Sequence, residues 1–168
     1  MKRIGILSDT HGTFDDTLRE FLSPVDEIWH AGDIGSLALA DEIARFRPLR
    51  AVCGNIDDAR TRTVCKPFCR FETEGVGVVM THIGGHGSYY APQVAEILRR
   101  DRPRIFVCGH SHILRVFFDK RFEVLHINPG AAGNYGFHAV RTALRMVIDR
   151  GDIRDMEVGE WPRSASVK

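Results

Sequence analysis

Five short apolar runs in this chain each lead straight into a side chain that can hold a metal ion. Ile4-Gly5-Ile6-Leu7 leads to Asp9 and His11, Ile28-Trp29 to Asp33, and Ala51-Val52-Cys53 to Asn55. Val78-Val79-Met80 leads to His82, and Ile105-Phe106-Val107-Cys108 to His110 and His112. Short apolar runs bounded by turn signals read as strands buried on both faces. In α/β sheets the ligand crevice lies beyond the carboxyl ends of the strands. If these runs are neighbouring strands, all seven side chains arrive at one rim. Taken singly, each residue is more often a turn former, a cap or a satisfied polar group. Their recurrence at five strand exits makes a shared site the better reading.

The spacing between the runs decides the fold class. Strands expected over Arg3–Ser8, Asp26–His30 and Leu49–Cys53 alternate with helical patterns over Asp15–Leu22 and Ser36–Arg45, with Thr13 as N-cap of the first helix. This β-α-β-α-β order predicts a largely parallel sheet. The second half is richer in strands: Phe68–Glu74, Val76–Thr81, Ile105–Cys108, Leu114–Asp119, Glu123–Ile127, Thr142–Ile148 and Ile153–Val158. One helix, Ala91–Arg100, interrupts them ahead of Pro103. Glu74-Gly75 and Asp149-Arg150-Gly151-Asp152 are tight-turn signals. The simplest assembly is α/β (α+β by some schemes): a four-layer αββα sandwich of two mixed β-sheets flanked by helices. A single domain over residues 1–168 is expected, with 163–168 as a loose tail.

Composition narrows the function classes. At 168 residues, a chain buries roughly 70% of its unfolded surface and needs no staple. It carries 23 Lys and Arg against 22 Asp and Glu, a net charge of +1. That balance lacks the broad basic field of extended nucleic-acid binding. No stretch approaches a membrane span, and Asp9 ends the first apolar run too early for a signal core. The cysteines Cys53, Cys65, Cys69 and Cys108 form no CxxC pair, so reduced, buried thiols in a cytoplasmic protein are expected.

The candidate ligands mix carboxylate, imidazole and amide, a set that suits borderline first-row ions; no thiolate points to a structural zinc site. The ordered series Asp9-x-His11, Gly32-Asp33, Gly54-Asn55, Thr81-His82 and Gly109-His110-Ser111-His112 resembles the motif set of the calcineurin-like metallophosphoesterase superfamily. The short chain, with Asn128-Pro129-Gly130 late in it, is similar to that superfamily's small bacterial and archaeal phosphodiesterase branch. The resemblance spans about residues 3 to 158. It implies two divalent ions, manganese first, with iron, zinc, nickel or cobalt as alternatives. Asp9, His11 and His112 would hold one, Asn55, His82 and His110 the other, with Asp33 bridging ions about 3.5–4 Å apart. Asp33, Asn55 and His82 are assigned the catalytic role, and Asn55 and His86 the contact to substrate. The implied reaction is attack of a shared hydroxide on the phosphorus of a small phosphodiester. A phosphomonoester substrate is the alternative, and a protein-binding scaffold, a role the retromer subunit of this superfamily illustrates, is a third. A homo-oligomer is compatible with the sequence.

One departure matters. Many members of that family carry His directly after the Gly-Asn motif, where it can protonate a leaving group; here the position is Ile56, followed by Asp57 and Asp58. Asp57 is a substitute acid or, more in character, a turn carboxylate. Gly84 to Tyr90, after His82, forms a Gly-rich loop in which His86 and the tyrosines could grip substrate. His30 and His126 read as structural, and His138 and Arg141 could reach an anion.

Overall fold

The structure, a computed structural model, describes residues 1–164. In chain order it runs β1 (Lys2–Leu7), α1 (Asp16–Phe21), β2 (Glu27–His30), α2 (Leu37–Phe46), β3 (Leu49–Ala51), α3 (Ala59–Val64), β4 (Phe68–Thr73) and β5 (Val76–Thr81). A short hairpin of β6 (Gly85–His86) and β7 (Tyr89–Tyr90) follows, then α4 (Pro92–Asp101), β8 (Ile105–Val107), β9 (Leu114–Asp119), β10 (Val124–Pro129), β11 (Val140–Asp149) and β12 (Asp152–Pro162). One sheet has the order β12-β11-β1-β2-β3 and the other β4-β5-β8-β10-β9. Both are mixed. β1 pairs parallel with β2 and antiparallel with β11, and β8 pairs parallel with β5 and β10 while β4 and β9 run antiparallel at the edges.

Alternation along the strands builds the layers. Ile4 and Ile6 of β1, Val76, Val78 and Met80 of β5, and Leu144, Met146 and Ile148 of β11 pack between the sheets around Trp29. The opposite face of the first sheet, with Leu7 and Ile28, packs on Leu18 and Leu22 of the first helical turn region and on Leu39, Ala40 and Ile43 of α2. Val79 and Phe106 of the second sheet pack on Val94, Ile97 and Leu98 of α4. The central strands are therefore apolar on both faces, and the αββα sandwich is the result. No helix among the described residues is long and apolar enough to cross a membrane.

Three local features differ from expectation. Asp15, not Thr13, caps α1: its side chain accepts from Leu18 N at 3.2 Å, while Thr13 N donates to Thr10 O and closes the loop after β1. The sequence reading missed α3, a single surface turn and a half that buries only Thr61 and so carries no apolar period. β12 continues past Val158 to Pro162. Of the expected tail 163–168, Ser164 N donates to Asn134 Oδ1 at 2.8 Å, and residues 165–168 lie outside the described residues.

Candidate metal centre

The structure brings all seven predicted ligands to one rim, at the carboxyl ends of β1, β2, β3, β5 and β8. The loops that carry them are tightly turned. Asp9, His11, Asp33, His110 and His112 all have positive φ, between 45° and 69°. Such conformations cost non-glycine residues of order 1–3 kcal/mol each and persist only where surroundings enforce them. Here the loops brace one another: Asp9 N donates to Gly32 O, His11 N to Asp33 O, and Gly109 N to His82 O. Two glycines allow this closeness. A Cβ on Gly54 would stand 2.0 Å from Asp33 Oδ1, and one on Gly109 would stand 1.9 Å from Ser8 Oγ. Their role is close approach, whereas Gly32, at φ +97°, serves the chain reversal before Asp33.

Each buried carboxylate has one oxygen tied and one turned into the site. Asp9 Oδ2 accepts from Ser8 Oγ at 2.6 Å and from His110 N at 3.0 Å. Its Oδ1 finds no hydrogen bond of ordinary geometry and faces Nε2 of His112 at 3.1 Å, of His11 at 3.9 Å and of His82 at 3.9 Å. Asp33 Oδ1 accepts from Ile56 N at 3.0 Å, and Oδ2 lies 3.3 Å from His82 Nε2 and 3.7 Å from His11 Nε2. Burial works against ionising both acids. The imidazoles around them outweigh it, His112 foremost for Asp9 and His82 for Asp33, so both carboxyls stay below the usual range.

The histidines present lone pairs. His82 Nδ1 sits 2.7 Å from the Ala31 carbonyl, which only accepts, so Nδ1 carries the proton and Nε2 of the neutral ring is bare. That bare nitrogen lies 3.0 Å from Asn55 Oδ1 and near both carboxylates. Four acceptors facing one point require a positive charge between them, from a proton or from a metal ion. In the metal-free protein burial lowers the His82 pKa, but Asp33 and Asp9 more than offset this and raise it. His11 goes the other way, lowered chiefly by burial, and its Nε2 has no partner among the described residues.

The donors fall into two groups, Asp9/His11/His112 and Asp33/His82/His110, each with ligand atoms within 4.8 Å of one another. Asn55 joins the second group through its contact with His82. Buried acceptors without a partner among the described residues, a set of carboxylate, imidazole and amide donors, and a His82 tautomer fixed by an outer hydrogen bond are what a resident cation requires, so the residues fit a metal centre.

His86 lies apart from this cluster, on the β6–β7 hairpin, exposed in the wall of a cavity of about 650 Å³ that opens beside His110. Tyr90 packs on Phe106 and Phe122 and bonds to His126, while Tyr89 is solvent-exposed. His30 is fully buried between Gly32 N and Thr10 Oγ1, with its pKa pushed down to about 4 by burial. His126 is buried too and is likewise pushed down to about 4. Arg141 is engaged by Asp15 through paired bonds of 2.7 and 3.0 Å and is not free for an anion. Asp57 is no acid in waiting: it accepts from Gly54 N at 2.7 Å and Gly35 N at 3.0 Å and ties the Asn55 loop to the Asp33 loop. Sequence reasoning underrated these bracing groups, among them Asn128, whose Nδ2 donates to Gly109 O and Ser111 Oγ.

Comparison with known proteins agrees with the geometry. A probable metallophosphoesterase of Methanothermobacter thermautotrophicus is 28% identical over 138 residues, 76% of each chain. Vacuolar Protein Sorting 29 from Cryptosporidium parvum superposes with a TM-score of 0.72 at 18% identity, over 96% of this chain and 98% of that one. An archaeal phosphodiesterase superposes with a TM-score of 0.69 at 23% identity, over 94% and 99%. These structural likenesses show the fold alone. The profile of the calcineurin-like phosphoesterase superfamily domain matches residues 1–151, and the chain belongs to that family.

Proposed function

We propose that this protein is a dinuclear metal-dependent phosphodiesterase acting on small phosphodiesters. The observation that carries the reading is the position of Asp33 Oδ2, within 4 Å of a ligand nitrogen from each donor group. One oxygen so placed suits a carboxylate shared between two ions. Asp9, His11 and His112 would hold one ion and Asn55, His82 and His110 the other. When bound, a pair of divalent ions activates water as a nucleophile near neutral pH and offsets charge on the phosphoryl oxygens. Manganese is the first candidate, in keeping with the carboxylate, amide and imidazole donors.

The protein's own groups set the rest. His110, exposed at the rim, adjoins both the second donor group and the cavity, so a phosphoryl group at the centre places one ester substituent in that cavity. Tyr90, Phe117 and Ile113 give it apolar walls, and His86 and Arg115 stand in its lining as donors. Asn55, besides its ligand role, has an amide nitrogen left to donate to a phosphoryl oxygen. No imidazole follows Asn55, and Asp57 is engaged, so leaving groups that need little protonation are favoured. This supports diesters with activated leaving groups over alkyl monoesters. The name of the archaeal structural neighbour, a phosphodiesterase, points the same way.

The test is hydrolysis of a bis-aryl phosphate and an aryl monophosphate by metal-stripped protein reloaded with manganese, with Asp33→Asn alongside. Diester preference, lost in the variant, is expected. A wide monoester preference would reverse the substrate assignment, and activity that Asp33→Asn leaves unchanged would remove the enzyme assignment. The fold likeness to Vacuolar Protein Sorting 29 keeps a protein-binding role as the second reading. Metal-loaded protein inert on both esters would favour it.

A further inference from the structure

We propose that His138 is a positioning residue that fixes the ring tautomer of His112, and so governs the affinity of one ion of the pair without touching the other. The inference rests on the two-ion reading above. His138 comes from the loop between β10 and β11, and its Nε2 lies 2.8 Å from the Gly133 carbonyl. A carbonyl only accepts, so Nε2 carries the proton and Nδ1 of the neutral ring is a bare acceptor. That nitrogen is 3.2 Å from His112 Nδ1, which must then be the donor. With one proton fixed on Nδ1, His112 leaves Nε2, 3.1 Å from Asp9 Oδ1, as the nitrogen that carries a proton in the metal-free protein and gives up that proton to offer its lone pair to an ion. Proton placement along Gly133 O, His138 and His112 thus runs in one direction and ends at the nitrogen that faces the first donor group.

The backbone is cut to fit this contact. Gly136 has φ +130°, and a Cβ there would lie 2.3 Å from His112 Nδ1 and 2.9 Å from His138 Nδ1. Only a residue without a side chain leaves the two rings in bonding range. The same loop reaches the other imidazole of this donor group, since Tyr135 sits over His11 with ring centroids 5.1 Å apart. The second donor group has a different arrangement: His82 is oriented by the main-chain carbonyl of Ala31, within the sandwich itself. One donor group therefore has a histidine set from within the sandwich, His82, and the other has a histidine set by a surface loop, His112.

Removing an outer hydrogen-bond partner of a ligating His typically costs 10–100-fold in metal affinity. The experiment is calorimetric titration of metal-free protein with Mn²⁺ at one pH, for wild type, His138→Ala, His138→Gln and Gly136→Ala. Signals of ¹⁵N-labelled histidine rings report the tautomer of His112 and show, through paramagnetic broadening, which ligands each ion approaches. His138→Ala and Gly136→Ala should each weaken binding beside His11 and His112 by roughly 10–100-fold and leave the event beside His82 unchanged. His138→Gln, whose amide oxygen can accept from Nδ1–H, should recover much of the loss and keep the Nδ1–H tautomer. Wild-type affinity for both ions in His138→Ala would overturn the inference, as would equal weakening of both. Should His138→Ala not fold, His138→Gln must still show the Nδ1–H tautomer of His112, and its absence would be equally fatal. Wild-type protein that takes up fewer than two ions would instead end the two-ion reading on which this stands.

Discussion

Gly54→Ala should damage the centre without adding or removing any ligand. The new Cβ would stand 2.0 Å from Asp33 Oδ1, 2.3 Å from Asp33 N and 2.7 Å from Asp33 Cγ. A side-chain rotation can relieve the first and third contacts, but the second is with main chain. Ordinary carbon contacts begin about 1 Å further out, so one of the two loops has to move by that order. Both loops are tied. Asp57 holds Gly54 N and Gly35 N, Arg62 donates to the Gly54 carbonyl, and Ile56 N donates to Asp33 Oδ1. Overpacking of this kind costs about 1–3 kcal/mol of stability. Displacing Asp33 by about 1 Å should lower hydrolysis by about 100-fold. Gly77→Ala is the control, because its Cβ would meet nothing closer than 3.8 Å. Urea denaturation, Mn²⁺ titration and diester hydrolysis are read together. If Gly54→Ala keeps wild-type ion affinity and rate, the central placing of Asp33 is wrong.

Further outcomes are expected. Unfolding free energy of the metal-free protein should fall as pH drops from about 6.5 to 4. His30 and His126 have folded-state values lowered to about 4, so the unfolded chain binds more protons in that window. Each contributes about 3 kcal/mol, present above the unfolded value and lost toward pH 4, and a flat denaturation profile would contradict this. Asp15→Ala removes both the α1 cap and the partner of the buried Arg141 side chain; because Asp15 is part-exposed and the pair is screened, the cost in denaturation should be about 2 kcal/mol, where a loss under about 0.5 kcal/mol would show cap and pair to be idle. Chelator treatment should abolish hydrolysis and lower the melting temperature, with both restored by Mn²⁺, since an ion bound only to the native state stabilises it.

The strand ends were legible because two signals coincide there: a short apolar run, and a metal-competent residue two to four positions after it. Leu7 before Asp9, or Met80 before His82, can be read without knowing the fold. Which face each residue takes was not legible in the run Val78-Val79-Met80, all apolar; the structure turns Val78 and Met80 toward the other sheet and Val79 toward α4. What escaped depends on loops meeting in space. Asp57 looks like any turn carboxylate until Gly35, 22 residues away, is seen to share it. His138 stands 26 residues from His112, and no spacing rule links a loop after β10 to a loop after β8. The helix α3 lacks an apolar face, so only Asp58 as its cap announced it. Asp15 and Thr13 are both capping residue types, and the choice between them was made by Thr13 closing the turn with Thr10.

Anomalous diffraction from crystals of protein purified without chelator would weigh most. Two neighbouring peaks are expected, one against Asp9, His11 and His112 and one against Asn55, His82 and His110, with Asp33 between them. A single peak, or none after loading with manganese, would contradict the account.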